Sequence, residues 1–221
     1  MIDPYSSEVL KPLYVKDEAC RKILLEEAKE IPLTVISSAA AANAVMLGGG
    51  YFNPLSGYMD LADVIGVAER MQMSSGLFWP TPVVNMLRGN SLSEEIKSAG
   101  KIALRDPNVV GNPVIAVQAV DKIEIVTEKQ IGEIVKHVYG TTDHEHPGVA
   151  AFTEAGDTLI SGPIEVLNFS YFSTEFPDTF RTAVEIRNEI KEREWETVIA
   201  FQTRNPMHRA QKSFAGWHKM N

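Results

Sequence analysis

The chain has 221 residues, with 21 Lys and Arg against 29 Asp and Glu, a formal charge of -8. Hydrophobic residues at 44% and charged residues at 23% exclude a disordered or fibrous chain, and the length can bury a core in one large domain or two small ones. A single cysteine, Cys20, excludes a disulfide framework and a cysteine-rich zinc module, and fits a reducing cytoplasm.

In chain order, Glu18 to Glu30 is helix-like and stops before Pro32. Leu33-Thr34-Val35-Ile36 has strand character, and Ser37 or Ser38 is placed to cap an alanine-rich helix that ends at Gly48-Gly49-Gly50. That triplet matches neither phosphate-loop pattern, so it reads as a helix-ending turn. Asp60 to Met71 places Leu61, Val64, Ile65, Ala68 and Met71 on one helical face. Met71, Met73 and Met86 are expected in the core, and Cys20 as a buried or inert thiol. Val83 to Leu87 and Pro113 to Val126 have strand character, and Asp106-Pro107-Asn108 forms a turn. Thr127 with Gln130 is a capping box before a helix with Ile131, Ile134, Val135 and Val138 on one side. Short strands are predicted at Val149–Phe152 and Ile164–Leu167, after the loop Thr141–Gly148. His144 and His146 in that loop, with His137 nearby, lack a nameable fourth ligand and second shell, so they do not make a zinc site.

Beyond Asn168 the pattern changes. Asp178 to about Glu194 reads as one long charged helix, and Thr197-Val198-Ile199-Ala200-Phe201 as a strand apolar on both faces, suited to a parallel sheet. A domain boundary is therefore placed near residue 168.

The charge is uneven. Glu196 is the last acidic residue, and Arg204, Arg209, Lys212 and Lys219 follow it. The first 196 residues hold 17 basic and 29 acidic side chains, a net -12. An acidic body is a poor general partner for nucleic acid, whose binding rests on neutralising phosphates. The opening Met1-Ile2-Asp3-Pro4-Tyr5 has no basic segment leading into an apolar stretch, so no secretory signal is expected. Val35 to Leu47 is broken by serines and Asn43, and falls short of the roughly 20 residues that a membrane span needs. A soluble, cytoplasmic protein without a membrane partner is expected.

The chemistry concentrates in Gln202-Thr203-Arg204-Asn205-Pro206-Met207-His208-Arg209-Ala210. Asn205 is suited to cap a helix and Pro206 to its first position. A strand end, a polar turn and a helix N-terminus together offer free N–H groups and a favourable dipole to an anion. Arg204 adds a planar fork matched to tetrahedral oxyanions.

These nine residues resemble the ATP sulfurylase (sulfate adenylyltransferase) signature Q-T-R-N-P-x-H-R-A-H. Gly50-Tyr51-Phe52-Asn53-Pro54-Leu55-Ser56-Gly57-Tyr58-Met59 resembles that family's F-x-P-L-x-G-F-M element. Ala103-Leu104-Arg105-Asp106, His146-Pro147-Gly148-Val149, Gly162-Pro163-Ile164 and Phe176-Pro177-Asp178-Thr179-Phe180-Arg181 are similar too. The pattern is most like the single-function bacterial enzymes.

The resemblance implies a mixed α+β and α/β chain. Residues 1–167 would be a PUA-like, β-rich N-terminal domain, and residues 168–221 the start of a Rossmann-like nucleotidyltransferase domain. The implied reaction joins ATP and sulfate into adenosine 5′-phosphosulfate and pyrophosphate, reversibly. Gln202 and Arg204 would hold sulfate. Gln202, Thr203, Asn205 and His208 would contact the nucleotide, with Thr203 and Asn205 near the α-phosphate and His208 at the pyrophosphate end. Thr203, Arg204, Asn205 and His208 would form the catalytic group. Magnesium would accompany ATP, with no protein metal site identified. A homo-oligomer is implied at full length.

Gln211 stands where the signature has a second histidine, and the resemblance is expected to end at Ala210, as in a truncated, catalytically incomplete N-terminal portion. A non-catalytic binding or assembly module on the PUA-like domain is the alternative.

Overall fold

The computed structural model describes residues 3–199. They form two compact units, one running to Arg187 and a second from Asn188. The first is built on a mixed seven-stranded sheet.

Helix α1, Glu18–Glu30, begins where Asp17 accepts the Cys20 N–H at 2.7 Å. It stops at Ile31, which the following Pro32 keeps extended. Strand β1, Leu33–Val35, leads to α2, Ser38–Gly48, capped by Ser37 accepting from Ala40 N at 3.1 Å. Strand β2, Gly57–Tyr58, precedes α3, Leu61–Arg70, which Asp60 caps. Met71 closes α3 in the left-handed conformation and is 52% exposed, so it does not complete the buried face. Val64, Gly66 and Val67 are buried, and Leu61 and Ala68 of the predicted face pack half-buried against the core. Met86 is in the core as expected, and Met73 packs against it half-buried.

Only Met86–Leu87 of the predicted Val83–Leu87 strand joins a ladder, as β3. Helix α4, Glu94–Ser98, and strand β4, Lys101–Arg105, follow. The predicted Pro113–Val126 strand is two strands, β5 at Val114–Ala119 and β6 at Lys122–Ile125. Helix α5, Glu128–Tyr139, carries the full Thr127–Gln130 capping box and buries Ile131, Ile134 and Val135.

Val149–Phe152 is not a strand. It lies in helix α6, Pro147–Glu154, because Pro147 occupies the first turn and His146 Nδ1 accepts from Gly148 N and Val149 N at 3.2 and 3.4 Å. The predicted short strand at Ile164–Leu167 is the end of a nine-residue strand, β7, Thr158–Val166.

Strand β7 organises the sheet. Its first half pairs with β3 and β6, its second with β5 and β2, all antiparallel. The change of partners falls at Gly162, where φ is +138° and a Cβ would lie 2.1 Å from the Ala119 carbonyl oxygen. Only glycine permits that approach. Beyond β5 lie β4, antiparallel, and then β1, parallel to β4.

Strands β4 and β5 are buried on both faces. Ala103 and Val117 pack with Leu24 and Ala28 of α1. Ile102, Leu104 and Ala116 belong to the main core with Ala40, Ala44 and Leu47 of α2. Helices on both sides explain why alternation is lost along these strands.

After β7 come a short helix, α7, Phe172–Glu175, and α8, Ala183–Glu192. The predicted helix from Asp178 is shortened at its start because Thr182 and Glu185 form a capping box: Glu185 N donates to Thr182 Oγ1 at 3.3 Å and Thr182 N to Glu185 Oε2 at 2.7 Å. In the second unit, Arg193 pairs with Glu189 at 2.7 Å and lies 4.9 Å over the Trp195 ring. The described part of the predicted Thr197–Phe201 strand, Thr197–Ile199, has no ladder partner among the described residues, and Val198 and Ile199 are 51% and 68% exposed. Ala200 and Phe201 of that predicted strand lie outside the described residues.

Candidate functional site

The signature residues Gln202, Thr203, Arg204, Asn205 and His208 lie outside the described residues. The structure describes the segment that leads toward them and the upstream elements that resemble the same family.

Those upstream elements meet at the sheet. Gly57 and Tyr58 of β2 pair with Pro163 and Gly162 of β7. A Cβ on Gly57 would sit 2.0 Å from the Gly162 carbonyl oxygen, so the two glycines are required by backbone contact. Beside them is an open cavity of about 200 Å³ lined in part by Asp60, Asp63, Asp121, Lys122 and Ser161. Three of its charges already serve the fold. Asp60 caps α3 and accepts from Lys122 Nζ at 2.6 Å, and Asp63 accepts from Ser74 N and Oγ at 2.7 and 2.5 Å.

The remaining elements also hold backbone. Arg105 donates to the carbonyls of Asn112 and Gly111, the latter at 2.7 Å, and Asp106 accepts from Asn108 N at 2.8 Å. These bonds shape the loop between β4 and β5. His146 caps α6, and its ring lies 5.3 Å from Tyr139. His137 Nδ1 is 2.8 Å from the Glu133 carbonyl oxygen within α5. Among the described residues no group of three or more His, Cys, Asp or Glu side chains is placed to hold a metal ion. Cys20 is exposed rather than buried. The hydrogen bond to the Asp17 carboxylate, with its charge, pushes the thiol up and disfavours the thiolate.

The approach to the signature is an aromatic layer. Phe169 stacks on Tyr14 at 4.5 Å, Phe180 lies 5.2 Å from Phe169, and Phe172 lies 5.9 Å from Phe180. The backbone after it is held by the α2 end: Ala183 N donates to Gly49 O at 2.9 Å, and Tyr51 Oη to the Arg181 carbonyl. Sequence reasoning found Tyr51 within a family-like element but not this contact, which joins residues 130 positions apart.

Comparison with known proteins decides the family. A PUA-like domain model matches residues 2–169, and an ATP-sulfurylase model matches residues 177–217. The sulfate adenylyltransferase of Alcanivorax borkumensis is 55% identical over 210 residues, covering 95% of this chain and 52% of that protein. The chain belongs to the PUA-like domain family over residues 2–169, and it is similar to sulfate adenylyltransferases along nearly all of its length. The sulfate adenylyltransferases of Allochromatium vinosum and of the Riftia pachyptila sulfur-oxidizing endosymbiont are 53% and 51% identical, each over 95% of this chain and over 52% and 47% of their own length. The chain thus spans about half the length of the curated family members it matches. In structure it resembles the hexameric APS kinase from Thiobacillus denitrificans, with a TM-score of 0.73 at 24% identity, over 99% of this chain and 37% of that one. This likeness concerns the fold alone. The ATP-sulfurylase match extends past Ala210, to residue 217, beyond the point where the signature residues end.

No helix among the described residues is long and apolar enough to cross a membrane.

Proposed function

We propose that this chain is the N-terminal portion of a sulfate adenylyltransferase that joins ATP and sulfate into adenosine 5′-phosphosulfate and pyrophosphate. The observation that carries the reading is the ATP-sulfurylase match across residues 177–217, which contains Gln202-Thr203-Arg204-Asn205-Pro206-Met207-His208-Arg209-Ala210. Residues 1–167 form the PUA-like domain, and residues 168–221 open a Rossmann-like catalytic domain.

Sulfate oxygen is a weak nucleophile, so positioning and charge stabilisation must supply most of the acceleration. Gln202 and Arg204 hold sulfate. Arg204 suits that role because its fork bonds two oxyanion oxygens at once. Gln202, Thr203 and Asn205 contact the nucleotide, and His208 stabilises charge toward the leaving pyrophosphate. Magnesium arrives with ATP as part of the substrate. The whole protein works in the cytoplasm as a homo-oligomer without nucleic-acid or membrane partners, consistent with the net -12 of the first 196 residues.

The test is a chimera in which residues 1–210 of this chain replace the matching half of the Alcanivorax borkumensis protein. Pyrophosphate release from ATP is followed with and without sulfate. Sulfate-dependent release, lost on Arg204→Ala, is expected. A folded chimera that releases no pyrophosphate would overturn the proposal.

A further inference from the structure

Two hydrogen bonds join the segment matched as PUA-like to the segment matched as ATP-sulfurylase: Ala183 N to Gly49 O at 2.9 Å, and Tyr51 Oη to the Arg181 carbonyl. Each end of this contact has a physical reason to exist. Gly49 closes α2, and its carbonyl is among those that a helix leaves without an internal partner. Ala183 opens α8, and its amide is among the donors a helix leaves unsatisfied at its start. The negative end of one helix therefore meets the positive end of the other, and each satisfies the other's orphan group.

We propose that the Gly49–Tyr51 turn is a latch that fixes where helix α8 begins, and that the Tyr51 hydroxyl closes it. Tyr51 holds the carbonyl two residues before the Ala183 amide, so the pair grips Arg181–Ala183 from both of its backbone faces, donor and acceptor. Burial, with the nearby Glu185 carboxylate, pushes the Tyr51 phenol up, which keeps its proton available for donation. The Thr182–Glu185 capping box sets the helix start from within, and the latch ties that start to the sheet domain. Gly49 is part of the device: a Cβ there would lie 3.0 Å from the Tyr51 ring, which would have to give by a few tenths of an ångström. The device stands independently of the catalytic reading.

Amide hydrogen exchange on the purified chain tests it. Tyr51→Phe removes the hydroxyl alone. Loss of one net hydrogen bond should speed exchange at the Ala183 amide by about fivefold. The amides of Ile160 and Val166 in β7 should keep their rates. Gly49→Ala should shift Ala183 in the same direction, and if that variant does not fold, Tyr51→Phe decides. An unchanged Ala183 rate in Tyr51→Phe would overturn the latch. So would an equal rise at Ile160 and Val166, which would mark a loss of global stability.

Discussion

Asn85 Nδ2 donates to Gln118 Oε1 at 2.9 Å, and both residues are completely buried. Gln118 Nε2 in turn donates to the Ile160 carbonyl at 3.0 Å, and Ile160 N to Asn85 O at 3.0 Å. These three hydrogen bonds bind the Asn85 segment, β5 and β7 to one another through their interior. A one-residue slip of any of them would leave buried polar groups unpaired, so the network sets register.

Gln118→Met keeps the volume and removes both hydrogen bonds. It leaves the Asn85 amide without its acceptor, which should cost about 1–3 kcal/mol. Asn85→Leu combined with Gln118→Met should cost less than the sum of the two single changes, since the Asn85 amide is no longer orphaned and only the Ile160 carbonyl has lost its donor. Urea denaturation of the double-mutant cycle measures this, and strict additivity would count against the coupling.

Gly162→Ala should be more harmful than any surface change. The φ of +138° disfavours every L side chain, a strain of about 1–3 kcal/mol. The new methyl group would also lie 2.1 Å from the Ala119 carbonyl oxygen, adding about 1–3 kcal/mol of overpacking. Thermal unfolding should show the loss. Gly100→Ala, where nothing lies within 4 Å of the added methyl, is the control.

Asp60 should dominate part of the acid limb of stability. Burial alone would push its carboxyl up, but the Lys122 ammonium and the Asp63 N–H outweigh that and hold it low. A depressed folded value means the stabilisation is complete above the unfolded aspartate value of about 3.9. It is lost as pH falls through the depressed folded value. Asp60→Asn retains a good helix cap but not the ion pair, so it should be less stable at neutral pH. The gap from the native chain should close in strong acid. Denaturant midpoints across pH 2–7 read the difference, about which a pH-independent gap would say that the ion pair plays no part.

His146→Ala removes the side chain that caps α6 and should cost about 0.5–2 kcal/mol. His146→Asp should recover most of it, because a carboxylate both accepts the free amides and suits the helix N-terminus. Equal destabilisation by Ala and Asp would show that packing against Tyr139, rather than capping, is what His146 supplies.

Helices with local punctuation were legible in the sequence. Ser37 and Thr127 cap the helices they precede and Gly49-Gly50 ends α2, as the sequence suggests, because caps act within three or four residues, while the caps Asp17 and Asp60 emerge from the structure. His146-Pro147 carried the same kind of signal, but the apolar run Val149-Ala150-Ala151-Phe152 behind it read as a strand. Short apolar runs have no period that separates the two forms. Strand β4 escaped notice for a related reason: Ile102, Ala103 and Leu104 are buried on both faces, so alternation is absent. The same property in Thr197–Phe201 suggested a strand for which the described residues supply no partner.

Composition and charge alone set the broad class, and nine consecutive residues, Gln202–Ala210, together with shorter upstream elements, carried the family. Both are local properties that survive without a fold, since a signature is read by the order of its side chains. What only the tertiary structure decided is long-range: the change of partners along β7 at Gly162, the Asn85–Gln118 network, and the grip of Gly49 and Tyr51 on Arg181–Ala183. Each depends on backbone groups brought together from distant positions, and backbone N–H and C=O groups are the same at every residue. Sequence therefore carries the family resemblance through its side chains, while chain folding alone selects which carbonyl meets which amide.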